Sequence, residues 1–96
     1  MNYVYVLQSL KDKDLYIGMT EDVVRREKDH YAGKVESTRN RRPLKLIYYE
    51  CYLDEDDAKG REKFLKSGSG HRFLKKQLNH FFDKQSRGCG ISEVQP

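Results

Sequence analysis

The residue pattern predicts a small α/β domain of ββαβαα order, a three-stranded, mainly antiparallel sheet flanked by helices. Three observations carry that reading. Two short β-type runs, residues 3 to 8 and 15 to 20, are rich in Tyr, Val, Leu and Ile and are joined by a polar stretch from Ser9 to Asp14, the mark of a hairpin. A third, longer apolar run occupies residues 44 to 53. Charged segments with helix caps lie between the second and third runs and again after the third. The 96 residues suffice for one core and leave no room for an independent second one. The expected domain therefore spans residues 1–85, with residues 86–96 as a mobile tail too poor in apolar side chains to pack.

The hairpin sets a face relationship. With an even-numbered loop, paired positions sum to an odd number, so Tyr5 and Tyr16 fall on the same face. A four-residue loop would put Tyr16 opposite Leu7 and diagonal to Tyr5, about 7 to 8 Å away between backbones. Thr20 is the expected cap of a first helix over residues 21 to 31, with Glu21 and Asp22 at its positive end and Gly33 near its stop. A polar, basic loop from Lys34 to Pro43 leads into the third strand, whose apolar character on both faces predicts cover on both. Asp54 caps a second helix whose acidic first turn, Glu55 to Asp57, suits the macrodipole and which runs to Lys66. Ser67-Gly68-Ser69-Gly70 breaks it. A third helix over residues 71 to 83 carries Leu74, Leu78 and Phe81 at i, i+4, i+7 spacing.

Lys and Arg number 19 against 15 Asp and Glu, giving a net charge of +4 and a pI near 9.1, a balance suited to a polyanion. Cys51 and Cys89 sit in unrelated contexts without metal-ligand spacing, which argues against a disulfide framework or a zinc site. The start of the chain runs directly into Tyr3 to Leu7 with neither a charged leader nor a long apolar segment, so no membrane span is expected and the cytoplasm is the default compartment. Phosphate-cradling and dinucleotide glycine motifs and Ser/His/Asp arrangements are absent from the sequence.

Five residues have chemistry to offer. The hydroxyls of Tyr5 and Tyr16 can meet around one substrate atom, although tyrosine also simply favours strands. Arg26 and His30, four apart, project from one side of the first helix, where the planar guanidinium suits phosphate; the alternative is an ordinary solvated face among Arg25, Glu27, Lys28 and Asp29. Glu62 lies on the margin of the inward arc of Ala58, Arg61 and Leu65. It can give Mg²⁺ an oxygen ligand or pair with Arg61, Lys66 or Arg26. Arg39, Arg41 and Arg42 in the loop, and Arg72, Lys75 and Lys76 in the third helix, are candidate nucleic-acid contacts, as are the amides at the serine-glycine turn.

Taken together, Val4-Tyr5-Val6, then Tyr16-Ile17-Gly18, Arg26 ten positions on, His30 four further and Glu62 in a later helix resemble the GIY-YIG nuclease superfamily, in particular its small single-domain bacterial type. The likeness covers residues 3 to 82 and includes Thr20, Thr38-Arg39-x-x-Arg42-Pro43-Leu44 and Arg61-Glu62-Lys63; the first motif departs from its name in reading Val-Tyr-Val. It implies a metal-dependent endonuclease that hydrolyses DNA phosphodiester bonds, structure-specific or repair-related, with RNA as the other substrate. Tyr5, Tyr16, Arg26 and His30 would be catalytic, with one tyrosine taking a proton from the attacking water. Glu62 would hold Mg²⁺, for which Mn²⁺ substitutes. The resemblance also implies an assisting His or Lys before the third strand, for which Lys34, Arg39 and Arg41 are the candidates, and a protein partner for targeting, since no DNA-recognition segment is attached. A nucleic-acid-binding module with weak or partner-dependent cleavage is the alternative.

Overall fold

The computed structural model describes residues 1–87; residues 88–96, which hold Cys89 and most of the expected tail, lie outside the described residues. Its elements are β1 (Asn2–Ser9), β2 (Leu15–Thr20), α1 (Val23–Tyr31), α2 (Glu36–Arg39), β3 (Leu44–Tyr52), α3 (Glu55–Lys66), α4 (Gly68–Gln77) and α5 (Asn79–Ser86). The predicted α/β class holds: three antiparallel strands in the order β2-β1-β3, with helices on both faces. Among the described residues no helix is long and apolar enough to cross a membrane.

The hairpin has the predicted register. Leu7 faces Tyr16 and Tyr5 faces Gly18, which leaves residues 10 to 13 as the four-residue loop. Ser9 N donates to Asp14 O at 2.9 Å and Lys13 N to Ser9 O at 2.8 Å, and Lys13 itself takes a positive φ of 68° to close the turn.

Side-chain alternation along β1 divides the core in two. Val4 and Val6 point to one face and pack with Ile17, Ala58 of α3, Leu65 of α3 and Leu74 of α4. Tyr5 and Leu7 point to the other and pack with Leu44, Tyr16 and Leu46. Leu7, Leu65 and Leu74 are fully buried, each stabilising the fold by about 1.5 to 3 kcal/mol. On the first face α5 is tied to β1 by paired amides, Gln8 Nε2 to Gln85 Oε1 at 3.0 Å and Gln85 Nε2 to Gln8 Oε1 at 2.7 Å.

Four local expectations are corrected. Asp22, not Thr20, caps α1: its carboxylate accepts from Arg25 N at 3.1 Å, whereas Thr20 Oγ1 accepts from Asp22 N and so shapes the turn before the cap. β3 is an edge strand with Lys45, Tyr49 and Cys51 exposed, so it is not covered on both faces; the strand buried on both is β1, from Val4 to Ser9. The basic loop contains a helical turn, α2, because Thr38 N and Arg39 N both return to Val35 O. Finally, the third predicted helix is two. α4 already begins at Gly68, where Ser67 Oγ accepts from Gly70 N at 3.1 Å, and the chain turns at Leu78 before α5. Gly70 is needed there, since a Cβ would strike the Phe64 carbonyl and the Leu65 backbone where α4 crosses α3. Of that turn's amides, Gly70 N is spent on the cap.

Candidate active site

The face of the sheet that carries Tyr5 is the one covered by α1 and α2, and polar side chains meet there under the helices. Tyr5 Oη lies 2.8 Å from His30 Nε2, and Arg26 Nε donates to Tyr5 Oη at 3.4 Å. The Tyr16 ring packs beside both, with centroids 6.4 Å from Tyr5 and 5.2 Å from His30. The pattern of α1 explains the convergence: Arg26 and His30 are one turn apart, and the helix follows β2 after a two-residue turn, which lays that stripe over the tyrosines. Four of the five predicted residues thus form one cluster.

The cluster is electrostatically uneven. His30 is fully buried, and its pKa is pushed down to about 4 by burial first and the Arg26 charge second, so the ring is neutral at pH 7. Burial pushes the Tyr5 hydroxyl above its ordinary range, with the charges of Tyr16 and Glu62 in the same direction, while the Arg26 hydrogen bond and charge pull it down. Tyr5 is therefore a neutral phenol in the resting protein. Tyr16 is half-buried and, among the described residues, its hydroxyl has no hydrogen-bond partner. Arg26 is half-exposed and engages in no salt bridge among them, leaving its remaining N–H groups free for an anion.

Glu62 arrives from α3, which packs along the edge strand β2, and its charge is felt at Tyr5. Its nearest ionic partner is Lys66 on the same helix, 3.3 Å away, with 24% of the Glu62 side chain exposed. Arg61 points elsewhere. It grips Glu50 of β3 with two bonds of 2.9 Å and stacks over Phe73 at 4.5 Å. Glu62 is thus open to a further ligand. Among the described residues no three His, Cys, Asp or Glu side chains gather at one point. A single carboxylate, 24% exposed, suits Mg²⁺, which keeps most of its waters, and fits neither zinc nor a calcium cage.

The candidate nucleic-acid contacts are not brought together. Arg39, Arg42 and Lys11 line an open cleft with Tyr31, Asn40, Pro43 and Leu44, on the side of α2. Arg39 Nε donates to Gly33 O at 2.8 Å and Arg42 Nε to Arg39 O at 3.0 Å, while Arg41 reaches Leu15 O at 3.4 Å. Arg72, Lys75 and Lys76 ride on α4, which covers the opposite face of the sheet. Lys34 is exposed.

Two site residues escaped sequence reasoning as individuals. Thr38 of α2 is fully buried with its Oγ1 2.7 Å from His30 Nδ1; a threonine in a polar loop carries no periodic signal that would have singled it out. Gly18 gives the Tyr5 ring its place, because a Cβ there would lie 2.5 Å from Tyr5 Oη. A glycine inside a strand does mark a close approach, so that signal was available.

The chain matches the family model described as the GIY-YIG catalytic domain over residues 1–79. It is 42% identical over 67 residues to a UPF0213 protein of Clostridium perfringens, covering 69% of this chain and 71% of that protein. A UPF0213 protein of Haloquadratum walsbyi is 40% identical over 67 residues, covering 69% of this chain and 74% of that one. The solution NMR structure of a UPF0213 protein from Bacillus halodurans aligns with a TM-score of 0.48 at 38% identity, over 84% of this chain and 85% of the other. Residues 1–79 hold the hairpin, the tyrosine cluster, α1 and α3, and the chain belongs to the GIY-YIG catalytic domain family, alongside the small UPF0213 proteins.

Proposed function

We propose that the protein is a metal-dependent endonuclease that hydrolyses phosphodiester bonds in DNA, with structured or damaged DNA as its substrate. One observation carries the reading: a buried phenol, Tyr5, is held between a guanidinium and a neutral imidazole, beside the ring of Tyr16, whose hydroxyl has no partner among the described residues. Packing alone has no use for an arginine aimed at a buried phenol.

Each residue then has a task. Arg26 binds the scissile phosphate through the N–H groups it does not spend on Tyr5. Tyr16, whose hydroxyl is unpartnered among the described residues, meets a phosphate oxygen or the attacking water. Tyr5 is the second hydroxyl at that centre, and His30 holds it in place. Glu62 would hold Mg²⁺, which when bound neutralises charge developing on the phosphate and the leaving oxygen. Arg39, Arg41 and Arg42 extend positive charge from the cluster along the duplex.

The test is incubation of the purified protein with a panel of single-stranded, duplex, branched and damaged DNA and matching RNA, in Mg²⁺, Mn²⁺ or EDTA. Cleavage of DNA that EDTA stops is the expected result. Salt-sensitive binding without cleavage in any metal would replace the enzyme with a binding module, and preferential cleavage of RNA would move the substrate.

A further inference from the structure

We infer that Thr38 is a positioning residue: its hydroxyl fixes the tautomer of His30 and thereby aims the Tyr5 hydroxyl into the site. This rests on the nuclease reading for its purpose, and on hydrogen-bond geometry for its existence.

Thr38 Oγ1 and Tyr5 Oη occupy the two nitrogens of one buried imidazole, at 2.7 Å from Nδ1 and 2.8 Å from Nε2. A neutral ring carries one N–H and one lone pair, so only two arrangements exist. In the first, Nδ1–H donates to Thr38 and Nε2 accepts from Tyr5. Thr38 is fully buried and its hydroxyl has no other partner among the described residues, so its hydrogen would be stranded in the interior, a loss of the kind folded proteins avoid. In the second, the Thr38 hydroxyl donates to Nδ1 and Nε2–H donates to Tyr5 Oη. The hydrogen then left over is that of the Tyr5 hydroxyl, which stands beside half-exposed Arg26 at the site, where an incoming oxygen can accept it, whereas the Thr38 hydroxyl is sealed from the site.

The second arrangement has a consequence for Tyr5. Its oxygen already accepts from Arg26 Nε at 3.4 Å. With Nε2–H as a second donor both acceptor directions are filled, and the phenolic hydrogen is directed away from His30 and Arg26, toward the side where a phosphate oxygen would lie. Two donors on one phenolic oxygen also favour its anion. His30 then works as a donor and a strut, and Thr38 determines that it does. The short helix α2 holds Thr38 in place, with Thr38 N returning to Val35 O at 3.2 Å and Ser9 Oγ donating to Arg41 O at 2.7 Å to pin the segment to β1.

The experiment compares wild type, Thr38→Ser and Thr38→Val by long-range ¹H–¹⁵N NMR of the imidazole at pH 7, with cleavage and melting on the same preparations. Expected are an Nε2-protonated His30 in wild type and Thr38→Ser, and a mixture of tautomers in Thr38→Val. Cleavage should be near wild type in the serine variant and lower by about 10- to 100-fold in the valine variant, the scale of loss when the partner that orients a metal-bound histidine is removed. An Nδ1-protonated His30 in wild type would overturn the inference, as would a Thr38→Val protein with wild-type imidazole shifts and rate. The tautomer is read whether or not the protein cuts, so a wild type without activity would count against the nuclease and leave the role of Thr38 to be decided by NMR.

Discussion

Gly18 of β2 lies directly under the ring of Tyr5, so close that a Cβ on Gly18 would come within 2.5 Å of Tyr5 Oη and 2.6 Å of Cζ. The ring cannot step aside, since Tyr5 is only 3% exposed and its hydroxyl is bound to His30. Gly18→Ala should keep the fold at an overpacking cost of about 1 to 3 kcal/mol. It should lower cleavage by about 10² or more, as displacement of a reacting group does. Circular dichroism, melting and single-turnover cleavage check this; a folded variant with the wild-type rate would show that the placement of the Tyr5 hydroxyl is irrelevant.

The two tyrosines should separate in stability although both matter to rate. Tyr5→Phe leaves a nitrogen of buried His30 without its partner, a cost of about 1 to 3 kcal/mol, whereas the Tyr16 hydroxyl has no partner among the described residues to lose. Each Phe variant should cut at least about 10² more slowly. Urea denaturation beside cleavage distinguishes them, and equal destabilisation by the two would contradict the hydrogen-bond assignment.

Much of this arrangement was legible in the sequence, for a physical reason in each case. The period of two in a strand and a polar loop of countable length fixed the register, hence the shared face of Tyr5 and Tyr16. Helical spacing put Arg26 and His30 on one side. The role of β3 was not legible. Its run from Leu44 to Tyr52 is as apolar as a central strand, but its tyrosines are amphipathic, Tyr48 and Tyr52 both spending their hydroxyls on Glu50. Strand order is a long-range choice that local pattern does not encode. Thr38 was hidden for the same reason, because only the fold brings α2 onto His30. The break at Leu78 separates two helical segments whose apolar residues continue one spacing, so periodicity ran straight through it.

Acid should destabilise the protein through His30. Its folded pKa of about 4 lies below the ordinary histidine value of 6.5, so between those values the unfolded chain binds a proton that the folded one refuses. Stability is therefore complete above about pH 6.5 and is lost as pH falls toward 4, by up to about 3 kcal/mol from this group. Glu50 adds loss at lower pH: burial raises its pKa, but Arg61, Tyr48 and Tyr52 hold it below the usual carboxylate value overall. Denaturation at pH 7, 5.5 and 4.5 tests the first window. His30→Gln should flatten it, and an unchanged slope would assign the titration elsewhere.

Glu50 offers a control for structure without chemistry. It accepts two bonds of 2.9 Å from Arg61 and hydroxyl bonds of 2.6 and 2.7 Å from Tyr48 and Tyr52, pinning β3 to α3 on the face away from Tyr5. Only 15% of its side chain is exposed. Glu50→Ala should strand Arg61 and cost about 3 kcal/mol or more, while the rate per folded molecule stays within a few-fold of wild type. A large loss of rate at full folding would connect this pin to the site.

Glu62 and Arg26 should show the opposite balance. The ion pair of Glu62 with Lys66 is an i,i+4 pair on a helix surface, worth about 0.2 to 0.5 kcal/mol. Among the described residues Arg26 makes no salt bridge, only the 3.4 Å bond to Tyr5. Neither residue belongs to the apolar stripe of its helix, so truncating either should leave the melting temperature nearly unchanged. Removing a preorganised charge from a phosphate centre costs roughly 2.7 to 4 kcal/mol of transition-state stabilisation, or 10² to 10³ in rate. Glu62→Ala should therefore lose Mg²⁺-dependent cleavage while binding DNA as well as wild type or better, because a negative charge has left the site. Arg26→Ala should lose cleavage with weaker binding, since its guanidinium is the phosphate contact. The two variants differ in the sign of their effect on affinity, and that sign separates a metal ligand from a phosphate ligand without a bound structure. Binding isotherms, melting curves and cleavage rates on wild type and both variants decide it. If Glu62→Ala weakened DNA binding as Arg26→Ala does, the carboxylate would be holding the basic surface in shape, and the metal would have to be sought elsewhere.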